Sequence, residues 1–322
     1  MERDIDISIV IPLLNERESI SELYYWIKES MGSHELTYEI IFIDDGSKDD
    51  SWDIIESLSK KDTEVKGIRF RFNQGKSQAL NVGFAKAKGH VVITMDADLQ
   101  DNPEEIYNLY KTVMEGEYHI VSGWKKNRKD PLTKTLPSKV FNWAARLYSG
   151  IKLHDFNCGI KAYKSEVIKS IDVYGEMHRY IPVLSKLQGF DRITEKEVKH
   201  QARKYGKTKF GASRFINGFL DLVSLWVLHK FGKRPMHFFG TFGVLMFFIG
   251  FLGAFYIGAS KLCSIYHGAP TILVVNDPWF YISLTSMILG SMLFLTGFIA
   301  ELMLMNNKTK NTPNILTQIN IE

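Results

Sequence analysis

Along the first 124 residues, apolar runs alternate with stretches of helical periodicity. Residues 5–14, 38–43, 65–72, 90–95 and 118–124 read as strands, and the near-continuous apolar run 5–14 fits a buried parallel strand. Between them, 18–31, 77–88 and 103–115 read as helices, with Ile20, Leu23, Tyr24 and Ile27 on one face of the first. Asp50 is the expected cap of a further helix reaching Leu58. Strands alternating with helices of ten to fifteen residues predict βαβ units and a mostly parallel sheet. Beyond residue 124 the alternation breaks. Residues 125–134 form a basic, polar segment with Pro131, expected to be a mobile loop over the site; 137–148 and 176–188 read as helices, 156–163 and 192–200 as strands, and 201–214 as a basic, Gly-bearing segment.

The character then changes. Residues 214–233 mix Phe215, Phe219, Leu222, Trp226 and Phe231 with Asn217, Asp221, His229, Lys230 and Lys233, which suits a helix at a membrane surface. Residues 238–260 carry no charge and, as a helix, cover roughly 34 Å, enough to cross a bilayer core. Residues 279–305 are a second such run, broken only by Glu301, expected to snorkel to the interface. Lys230, Lys233 and Arg234 before the pair and Lys308 and Lys310 after it predict a hairpin with both flanks in the cytoplasm. Gly250, Ala254 and Gly258 have small-xxx-small spacing, a weak pointer to a homo-oligomer. The predicted organisation is a catalytic domain over 1–212, an interface helix over 213–236, two spans within 237–305 and a cytoplasmic tail over 306–322.

Composition changes the picture little. The net charge of +4 over 322 residues does not suggest a nucleic-acid partner. Cys158 and Cys263 form neither a disulfide framework nor a zinc spacing. The charged N-terminus predicts no signal peptide, leaving the catalytic part in the cytoplasm of a multi-pass inner or plasma membrane protein.

The chemistry concentrates in acids at strand ends: Glu16 after the first, Asp44 and Asp45 after the second, Asp96 and Asp98 after the fourth. In an extended chain residues i and i+2 share a side, so Asp96 and Asp98 are expected to present their carboxylates together. The carboxyl ends of strands are where open α/β sheets bind ligands. Such acids suit a nucleotide held by its base and ribose, with its diphosphate on a divalent ion. Neither G-x-G-x-x-G nor a Walker A run is present, which disfavours dinucleotide enzymes and P-loop NTPases.

The runs Ile11-Pro12-Leu13-Leu14-Asn15-Glu16, Asp44-Asp45-Gly46-Ser47, Gly75-Lys76 and Asp96-Ala97-Asp98-Leu99-Gln100-Asp101-Asn102-Pro103-Glu104 resemble the ordered motifs of family 2 glycosyltransferases with the GT-A fold. The form is similar to the branch that glycosylates polyprenyl phosphates, the dolichol-phosphate mannose synthases and bacterial undecaprenyl-phosphate glucosyltransferases. Asp155-Phe156-Asn157-Cys158-Gly159, His178-Arg179-Tyr180 and the run 203–209 fall in the expected order. The resemblance implies that Pro12, Leu14, Glu16, Ile43 and Asp45 hold base and ribose. It implies that Lys76, Asp96 and Ala97 contact the nucleotide sugar, and that Asp98 and Gln100 ligate Mg²⁺ or Mn²⁺. Lys125 and Arg203 would meet phosphates. Arg128, Lys134, Ser138, Arg179, Lys207 and Lys209 join them as candidates for the acceptor phosphate. Asp155 would orient the sugar or act as a base. Leu14 stands where the family often has an aromatic residue, and Thr208 where Ser is usual. The implied partners are a nucleotide sugar, with UDP-glucose the first expectation, a polyprenyl phosphate and a membrane. GDP-mannose or UDP-N-acetylhexosamine donors, a glycan acceptor, and a catalytically silent nucleotide-sugar binder are the alternatives. A lipid monophosphate is already an anionic nucleophile, because its second pKa is about 6. The expected reaction is a single, inverting displacement.

Overall fold

The computed structural model describes residues 4–126, 142–143, 145–147, 149–173, 175, 177–202, 204–205, 235–268, 273–306 and 315–321. The candidates Arg128, Lys134, Ser138, Arg203, Lys207 and Lys209, with Thr208 and the amphipathic run 214–233, lie outside the described residues. The chain divides into two units. Residues 1–222 with 312–322 form one, and 223–311 the other.

The first unit is built on strands β1 (Ile7–Leu13), β2 (Tyr38–Asp44), β3 (Val65–Phe70), β4 (Val91–Thr94), β5 (Ile120–Trp124), β6 (Lys161–Lys164), β7 (Ile193–Glu197) and β8 (Ile315–Ile319). They form a single sheet in the order β7-β5-β6-β4-β1-β2-β3-β8. The β1–β2, β2–β3, β1–β4 and β5–β7 pairs are parallel, whereas β6 and β8 pair antiparallel. Helices α1 (Ile20–Gly32), α2 (Ser51–Lys61), α3 (Lys76–Lys86) and α4 (Glu105–Glu115) fill the crossovers. Every residue of β1 is buried, and Ile9, Ile11, Ile40, Phe42, Val91 and Ile93 join Leu23 and Ile27 of α1 in one core. This is the α/β architecture expected of a GT-A domain.

The chain runs β1, β2, β3 in one direction across the sheet, and β4 then packs on the other side of β1. The crevice outside the carboxyl ends of β1 and β4 is the switch point at which such sheets bind ligands.

Several local expectations are corrected. Strand β4 ends at Thr94 and Asp98 lies in a turn, so extended-chain alternation does not set the geometry of Asp96 and Asp98. Asp50 makes no side-chain cap on α2; the Asp49 carboxylate instead accepts Ser51 N–H at 3.1 Å. In the region expected to be a strand over 156–163, extended pairing is confined to β6, because 156–159 turn toward the site. A short α5 (Ser165–Lys169) follows β6. The helix expected over 176–188 is a 3₁₀ turn, Met177–Tyr180, leading into α6 (Ile181–Leu187), with Pro182 tolerated in its first turn. Strand β8 lies in what reads as a tail. It closes the β3 edge, and Asn320 Nδ2 donates to Ser59 O and Val65 O at 3.3 and 3.1 Å.

The second unit contains α7 (Pro235–Tyr266) and α8 (Pro278–Asn306), both long and apolar enough to cross a membrane. Their close approach depends on glycine. A Cβ at Gly243 would stand 2.6 Å from Gly290 O, and one at Gly250 2.5 Å from Ser283 O. Gly258 faces open space, so the small residues that pack the hairpin are not the Gly250-Ala254-Gly258 series as a unit. Glu301 is tied down: its Oε2 accepts the Met236 N–H at 3.2 Å, a cap on the open end of α7.

Candidate active site

The residues after β1, β2 and β4 meet at the crevice. After β1, Asn15 takes a left-handed φ of 51°. Its N–H donates to Ser47 Oγ at 2.8 Å, and its Oδ1 accepts Lys48 N–H at 2.8 Å. Glu16 N–H donates to Ser51 Oγ at 3.0 Å, which ties the β1 end to α2. After β2, Asp44 Oδ1 accepts Ser47 N–H at 2.8 Å while Arg69 approaches its other oxygen. Gly46 has a φ of 75° and packs so tightly that a Cβ would meet Phe72 C at 2.7 Å. These turns line a cleft of about 550 Å³ with Leu14, Asn15, Gly46, Ser47, Arg69 and Phe72 on its walls. Pro12 and Ile43 are buried in β1 and β2 and do not line it.

Asp45 is 5 % exposed, and both oxygens are engaged. They accept Gln74 N–H at 2.6 Å and Gly75 N–H at 3.0 Å. Burial raises its carboxyl above the usual carboxylate range, and the two backbone donors counter this only in part. Its evident task is to fix the 74–75 turn, and through it the first turn of α3. That turn delivers Lys76 to Asp96, with which it pairs.

Asp96 is enclosed by protein on most sides but keeps about a third (34 %) of its side chain open. Burial pushes its carboxyl up. Lys76, with Lys125 behind it, overrides this and holds it at about 2. Ala97 is buried. Leu99 takes a left-handed φ of 61°, and Asp98 Oδ1 accepts the Gln100 backbone N–H at 3.2 Å, which closes the turn that carries both residues. No group of three or more His, Cys, Asp or Glu able to hold a metal occurs among the described residues. The fit to a divalent ion is therefore that of a carboxylate and an amide oxygen completed by substrate phosphates, the usual manner for Mg²⁺.

Sequence reasoning overlooked the floor of the site. A Cβ at Gly159 would lie 2.6 Å from both Asp96 Oδ2 and Asp101 Oδ2. Asp101 is 1 % exposed and pairs with Lys125 at 2.7 Å. Burial lowers the Lys125 ammonium, but the Asp101 and Asp96 carboxylates outweigh it and the group stays charged. Lys125, expected to meet phosphate, is thus held by a buried acid. Asp155 is 2 % exposed and its Oδ1 accepts Asn157 N–H at 2.9 Å, a turn-forming bond. Arg179 is buried in the 3₁₀ turn beside His178. Cys158, pushed up to about 12 by burial, remains a thiol.

The fold is shared with known proteins. Mannosyl-3-phosphoglycerate synthase from Rubrobacter xylanophilus superimposes with a TM-score of 0.58 at 17 % identity, over 70 % of this chain and 75 % of that one. Glucosyl-3-phosphoglycerate synthase from Mycobacterium tuberculosis, solved with Mn²⁺ and UDP-glucose, gives 0.55 at 20 % identity, over 70 % and 79 %. The class is thus a GT-A fold. The model for glycosyl transferase family 2 matches residues 8–172, and the chain belongs to that family; it is a glycosyltransferase. Dodecaprenyl-phosphate galacturonate synthase of Rhizobium johnstonii is 30 % identical over 307 residues, covering 93 % of this chain and 88 % of the relative. An undecaprenyl-phosphate 4-deoxy-4-formamido-L-arabinose transferase of Shewanella sediminis is 38 % identical over 223 residues, covering 68 % and 66 %.

Proposed function

We propose that this enzyme transfers a sugar from a nucleotide sugar to a polyprenyl phosphate at the cytoplasmic face of a membrane. The observation that carries the reading is the pairing, on one chain, of an acid-lined GT-A crevice with two apolar helices, in a sequence that aligns with a polyprenyl-phosphate glycosyltransferase over 93 % of its length. Strand β8 supports the topology. It follows α8 yet pairs with β3 at the edge of the catalytic sheet, which fits a hairpin whose two flanks lie on one side.

The cleft beside Leu14 and Gly46 takes the base and ribose, with Pro12, Ile43, Glu16 and Asp45 as its frame. Asp96 and Lys76 meet the sugar diphosphate. Asp98 and Gln100 would hold a divalent ion, which would supply charge stabilisation to the departing diphosphate. The acceptor monophosphate is its own nucleophile, which relieves the buried Asp155 of a base role; Asp155 positions the 155–159 turn. An acceptor oxygen attacks the anomeric carbon, the bond from that carbon to the diphosphate oxygen breaks, and the configuration inverts. Buried Arg179 and the basic segments following β5 and β7 counter repulsion between the two anions.

The donor is assigned less finely. UDP-glucose is our first candidate, and the named relatives widen the set to a galacturonate and a formamido-arabinose donor. A panel of radiolabelled nucleotide sugars offered with undecaprenyl phosphate and Mg²⁺ or Mn²⁺ tests the reading. Label should enter the lipid extract with one donor. Label entering only a glycan acceptor would refute it, and binding without turnover would point to a silent scaffold.

A further inference from the structure

Ser77 is 1 % exposed and follows Lys76 in the first turn of α3. Its Oγ accepts the backbone N–H of His178 at 3.0 Å and stands 3.0 Å from His178 Nδ1. The hydroxyl has one proton to place. Among the described residues, Nδ1 is the only acceptor bonded to it. Were Nδ1 protonated, Oγ would receive two donors and its own proton would be buried without a partner, an unfavourable arrangement. The O–H therefore donates to Nδ1, and the ring carries its proton on Nε2.

The Ser77 contacts hold the ring against the first turn of α3, one residue from Lys76 and its partner Asp96, and Lys76, Arg179, Lys161 and Asp96 are the charges that act on it. Burial, then these three cations, push the imidazole well below its usual range, so it carries no charge. A fixed neutral donor adds directionality to an anion site without adding another cation to be kept apart from its neighbours.

We propose that Ser77 is a positioning residue that holds His178 as the Nε2–H tautomer, and that this N–H donates to an oxygen of the sugar diphosphate bound beside Asp96. The contact rests on the nucleotide-sugar reading of the crevice. The tautomer does not.

Nitrogen NMR of the full chain in lipid nanodiscs, with isotope-labelled histidine and the His178 signal assigned from its loss in His178→Gln, tests both parts. The wild type should show bare Nδ1 and protonated Nε2 between about pH 6 and 8. Ser77→Thr should keep this state and Ser77→Ala should lose it. A Nδ1-protonated ring in the wild type, or an unchanged tautomer in Ser77→Ala, would overturn the assignment. Addition of UDP with Mg²⁺ should move the Nε2–H signal if the accepting oxygen is on the diphosphate; movement only with UDP-glucose and Mg²⁺ places it on the sugar. With the donor found active, Ser77→Ala and His178→Gln should raise KM about tenfold, the scale of one hydrogen bond, with Ser77→Thr within about twofold of wild type. Binding of the nucleotides with His178 unmoved and KM unchanged contradicts the contact alone. Binding of neither contradicts the nucleotide-sugar reading as well, while the tautomer result stands.

Discussion

At the scale of single residues, the site depends on close approach between buried charges. Gly159 leaves room for two carboxylates that an alanine would displace, one from Lys76 and the other from Lys125. Gly159→Ala should lower kcat/KM at least about tenfold and cost about 1–3 kcal/mol of stability from overpacking, read by steady-state kinetics and thermal melting. Lys125→Met strands Asp101 as a buried unpaired charge and should destabilise the catalytic unit by about 3–5 kcal/mol. The double variant with Asp101→Asn should recover much of that loss in the same melt. The pH dependence separates enzyme from substrate. Asp96 is held at about 2, below its unfolded value, so its contribution to stability is complete above about pH 4 and fades as pH falls toward 2. It stays ionised throughout the working range. The acid limb of transfer should instead lie near pH 6, where the lipid monophosphate takes up its second proton, while UDP binding persists below it. The sequence exposed most of the acids but not their partners. The Asp96-x-Asp98 spacing was legible, whereas Gly159 meets Asp96 and Asp101 across about sixty positions of chain, and the contact appears only once β6 pairs with β4.

At the scale of elements, hydrophobic periodicity was sufficient wherever strands are buried on both faces. Strands β1 to β5 and their crossover helices were legible to within a few residues for that reason. It failed where local chemistry sets the boundary. The polar run that ends β4 at Thr94, the 3₁₀ turn at Met177–Tyr180 and the short β8 carry little periodic signal. Strand β8 has the clearest consequence, because it covers the exposed edge of β3. Removing residues 312–322 should lower the melting temperature and promote aggregation, and Asn320→Ala alone should cost about 1 kcal/mol by losing its carbonyl contacts. In the hairpin, Gly243→Leu should disrupt α7–α8 packing, since even a Cβ there meets Gly290 O at 2.6 Å; extraction into detergent followed by a melt would show it.

At the scale of the whole molecule, the proposed reaction gives the catalytic unit and the two apolar helices one shared purpose: the acceptor is a lipid that stays in the bilayer. This predicts an orientation. In a Cys263→Ser background, His267→Cys between the helices should react with a membrane-impermeant thiol reagent applied to intact cells. Thr317→Cys in β8 should react only after lysis. The reverse pattern would remove the shared-side topology.

The reaction itself is tested most directly by phosphorus NMR of purified enzyme in nanodiscs with undecaprenyl phosphate, the active nucleotide sugar and Mg²⁺. The lipid monophosphate signal should convert to a phosphodiester as free nucleoside diphosphate accumulates one for one, and Asp98→Ala should abolish both changes while remaining folded. Consumption of the nucleotide sugar with the lipid signal unchanged, or full conversion by Asp98→Ala, would contradict the account.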